Sequence, residues 1–184
     1  MRAFVAIVPP PPALAALARA VAPLRAAHAA SWVPPERLHL TLAFLGDVAE
    51  PVLPRLGDAL AAAVAGTAAF GLRVAGGGAF PRPARPRVLW AGIDGEVDAL
   101  ARLARAVRRA ARSAGVDVER APYVPHVTVA RVRATPVDGP ACVAALDAVR
   151  GEPWQVTGAV LMRSVLGPKP VYEPLRDLPF GYQA

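Results

Sequence analysis

The strongest constraint on this chain is a short pattern that occurs twice. Leu38-His39-Leu40-Thr41-Leu42 and His126-Val127-Thr128-Val129 both read His-apolar-Thr-apolar. They lie 126 − 39 = 87 residues apart, roughly one in each half of the chain. Side chains alternate between the two faces of a strand, so each stretch predicts a strand with His and Thr on one face and aliphatic residues on the other. The aliphatic face belongs in a core. Two such strands side by side would bring two imidazoles and two hydroxyls to one cleft.

The rest of the pattern supplies helices and strands to hold them. Residues 2–8 read as a strand, ended by Pro9-Pro10-Pro11-Pro12. Leu14, Leu17, Val21 and Leu24 recur at helical spacing over 13–29, with His28 near the helix end. Trp32 to Arg37 is a turn into the first His strand, 38–45, which Gly46-Asp47 closes. Val52, Leu56, Leu60 and Val64 predict a helix over 50–65, and Phe70–Val74 a strand. Gly76-Gly77-Gly78 lacks the Lys-Ser/Thr of a phosphate loop and predicts a tight turn or bulge. Pro81 to Arg87 is a stiff basic loop, and Val88–Ile93 a buried strand. Residues 96–114 form an amphipathic helix with Arg102, Arg105, Arg109 and Arg112 on a face of their own; Gly115 ends it. Ala121 to Pro125 leads into the second His strand, 126–132. A short helix over 140–149, a strand over 156–163, a turn at Gly167-Pro168-Lys169-Pro170 and a strand over 171–175 complete the chain.

Such alternation also suits a parallel α/β sheet. The two His strands have to be neighbours to act together, however. An α+β fold is therefore expected: one domain over 1–184, made of two pseudo-symmetric lobes across a central cleft.

Composition narrows the setting more than the function. No apolar run reaches the roughly 18 residues of a membrane span, and no small-residue cleavage site follows the first strand, so neither a membrane segment nor a signal peptide is expected. The single cysteine, Cys142, excludes an internal disulfide, fits a reducing cytoplasm and is expected to pack in a helix. The net charge of +7 is carried almost wholly by arginine, with Lys169 the one lysine. Positive charge favours anionic partners such as RNA. It also follows from a chain rich in Ala, Arg, Pro and Gly, so charge alone decides nothing. Contact with RNA by the Arg82–Arg87 loop or by the basic face of the 96–114 helix stays open at this point.

The paired motifs carry the chemistry. Imidazole gives and takes protons near neutral pH, so one neutral and one protonated histidine can serve as base and acid in one turnover. Cleavage of a phosphodiester needs that pair. Hydroxyls from Thr41 and Thr128 can bind the non-bridging oxygens, on which charge gathers in the transition state. Arg131 supplies a guanidinium matched to phosphate, but at five residues beyond His126 a straight strand turns it to the opposite face; a bulge or strand end is needed. The strands hold no Cys, Asp or Glu to complete a zinc site, and no Ser sits in a nucleophile elbow. No metal and no cofactor is expected.

The sequence resembles the two-histidine (2H) phosphoesterases, and within them the RNA 2′,3′-cyclic phosphodiesterases, also called 2′-5′ RNA ligases. The resemblance runs nearly end to end. It is carried by Arg2-Ala3-Phe4-Val5-Ala6-Ile7, by Trp32 through Gly46, by Phe80-Pro81 with Pro86-Arg87-Val88-Leu89-Trp90, by Pro125-His126-Val127-Thr128-Val129-Ala130-Arg131, and by the tail from Arg163-Ser164 to Tyr172. Met162 departs from it, standing where relatives often carry an aromatic. The resemblance implies a bilobal fold with two antiparallel sheets around the cleft and helices outside. It implies metal-independent hydrolysis of RNA 2′,3′-cyclic phosphate ends to 2′-phosphomonoesters by a monomer, with His39 as general acid and His126 as general base. Thr41, Thr128 and Arg131 then bind the phosphate. Ligation forming 2′-5′ bonds uses the same residues in reverse, and a binding module for RNA or nucleotides without catalysis is the non-enzymatic alternative.

Overall fold

The computed structural model describes residues 1–133, 136–165, 167 and 170–181. The chain runs β1 (Arg2–Ile7), α1 (Pro11–Ala27), β2 (Ser31–Trp32), β3 (Leu40–Asp47), α2 (Leu53–Val64), β4 (Phe70–Phe80), β5 (Val88–Gly95), α3 (Val97–Ser113), β6 (His126–Arg131), α4 (Gly139–Asp147), β7 (Trp154–Val156), β8 (Gly158–Val165) and β9 (Val171–Pro179). Short 3₁₀ turns at Pro35–Arg37 and Glu50–Val52 precede β3 and α2.

The strands form one antiparallel order, β7-β4-β5-β6-β3-β1-β8-β9, with β2 beside β6. The order divides at the middle into two runs of four strands. One is β7-β4-β5-β6 and the other β3-β1-β8-β9. Instead of standing apart, they are continuous through a single residue pair, Leu40↔Val127, between the two His strands. Both members of that pair are fully buried.

Two of the four helices cross between the halves. α1 follows β1 yet packs on α4 and β4 of the other lobe; α3 follows β5 yet packs on β3 and α2. Their apolar stripes explain the packing. Leu14, Leu17, Val21 and Leu24 of α1, and Leu100, Leu103, Val107 and Ala111 of α3, are buried in one continuous core. Cys142 lies in that core on α4, where burial pushes its thiol up, away from thiolate chemistry. No helix among the described residues is long and apolar enough to cross a membrane.

Several boundaries differ from the sequence reading; the strand read over Phe70–Val74, for one, continues to Phe80. The first His strand begins at Leu40, because Leu38 and His39 are hydrogen-bonded back to the 3₁₀ turn: Leu38 N–H donates to the Pro35 carbonyl. The single strand expected over 156–163 is two, β7 and β8, which separate at Thr157 and belong to opposite lobes. The last strand runs on past Leu175 to Pro179, paired with β8. Of the turn expected at Gly167-Pro168-Lys169-Pro170, Pro168 and Lys169 lie outside the described residues.

The three glycines 76–78 form a bulge in β4, where the pairing with β5 shifts register between Val74 and Gly77. Gly76 adopts φ +74°, open to glycine at little cost. A Cβ on Gly77 would meet the Leu146 Cβ of α4 at 2.3 Å, and one on Gly78 would meet the Trp90 ring at 2.3 Å. The stretch thus lets a helix and an indole lie directly on the sheet backbone. Gly77→Ala should cost about 1–3 kcal/mol in urea unfolding by overpacking. Gly66→Ala, with nothing within 4 Å, should be near neutral in the same measurement.

Candidate active site

Both motif histidines are held in one way. His39 Nδ1 donates to the Arg37 carbonyl at 2.7 Å, and His126 Nδ1 to the Val124 carbonyl, also at 2.7 Å. A carbonyl oxygen only accepts, so Nδ1 of each ring carries the proton. Nε2 is left as the atom that can take or give one. The acceptor stands two residues upstream in each case, in a proline-bearing approach: Pro34-Pro35 before the first motif, Pro125 directly before the second.

Aromatic rings seat both imidazoles. Phe4 of β1 lies 4.9 Å from the His39 ring, and Tyr172 of β9 meets it edge-on at 5.1 Å. Phe80 of β4 meets the His126 ring edge-on at 5.1 Å, with Trp90 of β5 at 6.2 Å. Within each pair the two rings touch as well. Arg37 also donates to the Pro170 carbonyl and lies 6.0 Å from the Tyr172 ring centre, tying β9 to the turn that holds His39.

The Leu40↔Val127 pair sets the threonines. His39 and Thr41 flank Leu40 in the chain, and His126 and Thr128 flank Val127. With Leu40 and Val127 fully buried, strand alternation turns these neighbours toward the other face, where all four are half-buried.

A bulge brings Arg131 in. Across β5–β6, Trp90 pairs with Thr128 and Leu89 with Ala130, so Val129 is an extra residue. The extra residue reverses the alternation. Val129 and Ala130 are both buried, and Arg131 is exposed on the His126–Thr128 face. Strand β3 repeats this: Ala6 pairs with Thr41 and Val5 with Ala43, so Leu42 is the extra residue. Leu42 and Ala43 are buried, and the next residue, Phe44, is 56% exposed. Phe44 thus holds in the first motif the place Arg131 holds in the second.

The electrostatics agree with this convergence. His39 is held below the ordinary imidazole value of about 6.5, chiefly by burial. Its bond to the Arg37 carbonyl opposes the shift, while the positive charges of Arg131 and His126 add to it. Both charges therefore reach His39. Among the described residues no three His, Cys, Asp or Glu side chains gather where a metal could be held.

A clamp joins the motifs from behind. The Tyr123 hydroxyl donates to the Thr41 carbonyl at 3.1 Å. Arg108 of α3 donates to the Leu42 carbonyl at 3.3 Å and the Ala121 carbonyl at 2.9 Å, with its guanidinium over the Tyr123 ring. Burial pushes the Tyr123 phenol far above its ordinary range, so it stays protonated and donating. The approach to the second motif is thereby fastened to the strand of the first.

The structure brings His39, His126 and Arg131 into one electrostatic cluster and sets Thr41 and Thr128 on its face. Sequence reasoning missed Phe44, the four seating rings and the Arg108–Tyr123 clamp. Phe44 alone had a signal, since it stands five residues beyond His39 as Arg131 stands five beyond His126. The others come from strands and a helix distant in sequence.

Residues 9–168 match the family model of the 2′-5′ RNA ligase superfamily. The chain belongs to that superfamily. Among curated members it is similar to the RNA 2′,3′-cyclic phosphodiesterase of Thermus thermophilus, at 37% identity over 188 aligned positions, 95% of this chain and 88% of the relative. It is 42% identical to the RNA 2′,3′-cyclic phosphodiesterase of Aeropyrum pernix over 98 residues, which span 53% of this chain and about half, 54%, of that superfamily member. Among solved structures of the superfamily fold, the crystal structure of TT0787 of Thermus thermophilus superposes with a TM-score of 0.85 at 32% identity, covering 100% of both chains.

The free protein offers a direct check on the site. An NMR titration of the His39 ring should give a midpoint below 6.5, and saturating inorganic phosphate should raise it. A midpoint above 6.5 without phosphate would contradict the burial and the two nearby cations.

Proposed function

We propose that the chain hydrolyses RNA 2′,3′-cyclic phosphate ends to 2′-phosphomonoesters, without a metal, by paired histidine acid–base catalysis. The observation that carries this reading is the mirrored anchoring of both Nδ1 atoms, which leaves two Nε2 atoms poised for opposite proton transfers. The names of the Thermus thermophilus and Aeropyrum pernix relatives support the substrate class.

In the proposed reaction the cyclic phosphate lies between the two motifs. His126 Nε2, neutral, takes a proton from water as the water oxygen bonds to phosphorus. The P–O3′ bond breaks, and His39 Nε2–H gives its proton to the departing O3′. The P–O2′ bond remains, so the product is a 2′-phosphomonoester. His126 ends protonated and His39 neutral; exchange with solvent restores both. The Thr41 and Thr128 hydroxyls donate to the non-bridging oxygens, and Arg131 offsets their charge. No water need be displaced from a metal, because every charge change is met by an imidazole or a guanidinium.

The lowered pKa of His39 fits the acid role once substrate is counted. Burial and the cations weaken its hold on the proton in the free protein. An anionic phosphodiester beside it restores the charged form, and an acid that holds its proton weakly gives it up more readily to the leaving oxygen. Phe44, the exposed aromatic at the mirror position of Arg131, offers its face to the terminal base by stacking.

His39→Ala and His126→Ala should each lower kcat by about 10²–10⁴ while the fold melts as before. Full activity in either would overturn the assignment. EDTA should leave the rate unchanged, and the pH profile should be bell-shaped. In a separate assay, Phe44→Ala should raise KM for a cyclic mononucleotide by about 5–100-fold, since base–aromatic stacking is worth about 1–3 kcal/mol. An unaltered KM would remove Phe44 from the site.

A further inference from the structure

A second basic concavity adjoins the proposed catalytic cleft. It encloses about 990 Å³ and is lined by Arg82, Arg85, Arg87 and Arg133 with prolines and valines around them. We propose that this cavity holds the sugar–phosphate backbone of the nucleotides 5′ of the cyclic phosphate, so that the protein acts on single-stranded RNA ends in preference to cyclic mononucleotides. The inference rests on the catalytic reading above.

Its position gives the first argument. The cavity begins where the active site ends. Phe80, whose ring seats His126, is followed directly by Pro81 in the cavity wall. Arg131 pairs with Val88 across β5–β6, and Val132 N–H donates to the Arg87 carbonyl at 2.9 Å. Arg133 stands two residues beyond Arg131, about 7 Å along an extended chain. A strand of RNA that ends in a 2′,3′-cyclic phosphate has all its other phosphates on the 5′ side. Leaving the site past Arg131, those phosphates meet four further guanidinium groups.

The charge is uncompensated. Among the described residues no carboxylate lines the cavity. The ion pairs among the described residues are Arg73–Asp94, Arg163–Glu173 and Arg176–Asp58, none of which uses these arginines. Like charges gathered in a concavity repel one another and focus a positive potential outward, which attracts a polyanion. Arg102, Arg105, Arg109 and Arg112 of α3, by contrast, are spread along an exposed helix face.

The loop is also held in place. Arg87 N–H donates to the Phe80 carbonyl at 2.7 Å and closes its base. Pro81, Pro83 and Pro86 limit its backbone. A Cβ on Gly139 would meet the Pro83 carbonyl oxygen at 2.0 Å, so the start of α4 abuts the loop backbone directly. A loop backbone fixed beforehand loses little freedom on binding. Among the described residues no aromatic side chain lines the cavity, so it recognises phosphates and not base faces, and sequence preference should be small.

The test compares two substrates, a 2′,3′-cyclic mononucleotide and a short oligoribonucleotide with the same cyclic end, at low salt. Wild-type kcat/KM should favour the oligonucleotide by about tenfold or more. In an Arg82→Ala/Arg85→Ala/Arg133→Ala variant, that ratio should fall toward one. The salt slope on the oligonucleotide should become shallower by about 0.7 per lost contact. Arg102→Ala/Arg109→Ala on the exposed face of α3 should keep the ratio. Equal wild-type values for the two substrates, or a ratio that survives the triple substitution, would overturn the proposal. If the wild type turned over neither substrate, the catalytic reading would fail first. Fluorescence anisotropy of a labelled oligonucleotide would then decide the cavity alone: weaker binding by the triple variant sustains it, and equal binding ends it.

Discussion

The structure depends on one antiparallel residue pair, Leu40 with Val127. It joins β7-β4-β5-β6, with β2 beside β6, to β3-β1-β8-β9. Because both side chains are wholly buried, their neighbours on either side are turned to the opposite face. Those neighbours are His39, Thr41, His126 and Thr128. Two of them come from each half, so the seam brings both motifs to one face. A one-residue slip would bury the polar set and expose the aliphatic one, which the apolar core forbids. Burial of two aliphatic side chains therefore fixes the relative placement of four polar ones.

The polar set was legible in the sequence because period-two alternation is a local property. The helices were legible for the same reason: Leu14, Leu17, Val21 and Leu24 mark α1 as clearly in the chain as in the core. Arg131 was legible only in part. Its distance from His126 showed that a bulge was required, but whether Val129 bulges depends on how β5 pairs with β6. The seating rings were beyond reach. Phe4 and Tyr172 stand 168 positions apart in the chain, and only the adjacency of β1, β8 and β9 brings them to one imidazole. The division of β7 from β8 was equally hidden, since one apolar run serves two lobes and Thr157 alone marks the change.

The two motifs are alike in backbone and unlike in what they present. Each has a carbonyl holding Nδ1, an edge-on aromatic, a threonine and a bulge at the fourth residue. At the residue after the buried pair they diverge, to Phe44 in one and Arg131 in the other. The environment diverges with them. His39 is the deeper ring, and its titration is shifted by that depth and by the arginine opposite. A symmetric frame thus sets its two histidines in unlike surroundings.

The crossing of α1 and α3 between lobes has a mechanical meaning. Each helix is tethered to a strand of one half and packed on the other, so the halves are strapped together twice, on top of the Leu40–Val127 seam and the Arg108–Tyr123 clamp. Swinging the lobes apart would pull both helices out of the core. The cleft is therefore a gap of set width. The spacing of the motif side chains across it is then set when the chain folds, not by any later movement of the halves.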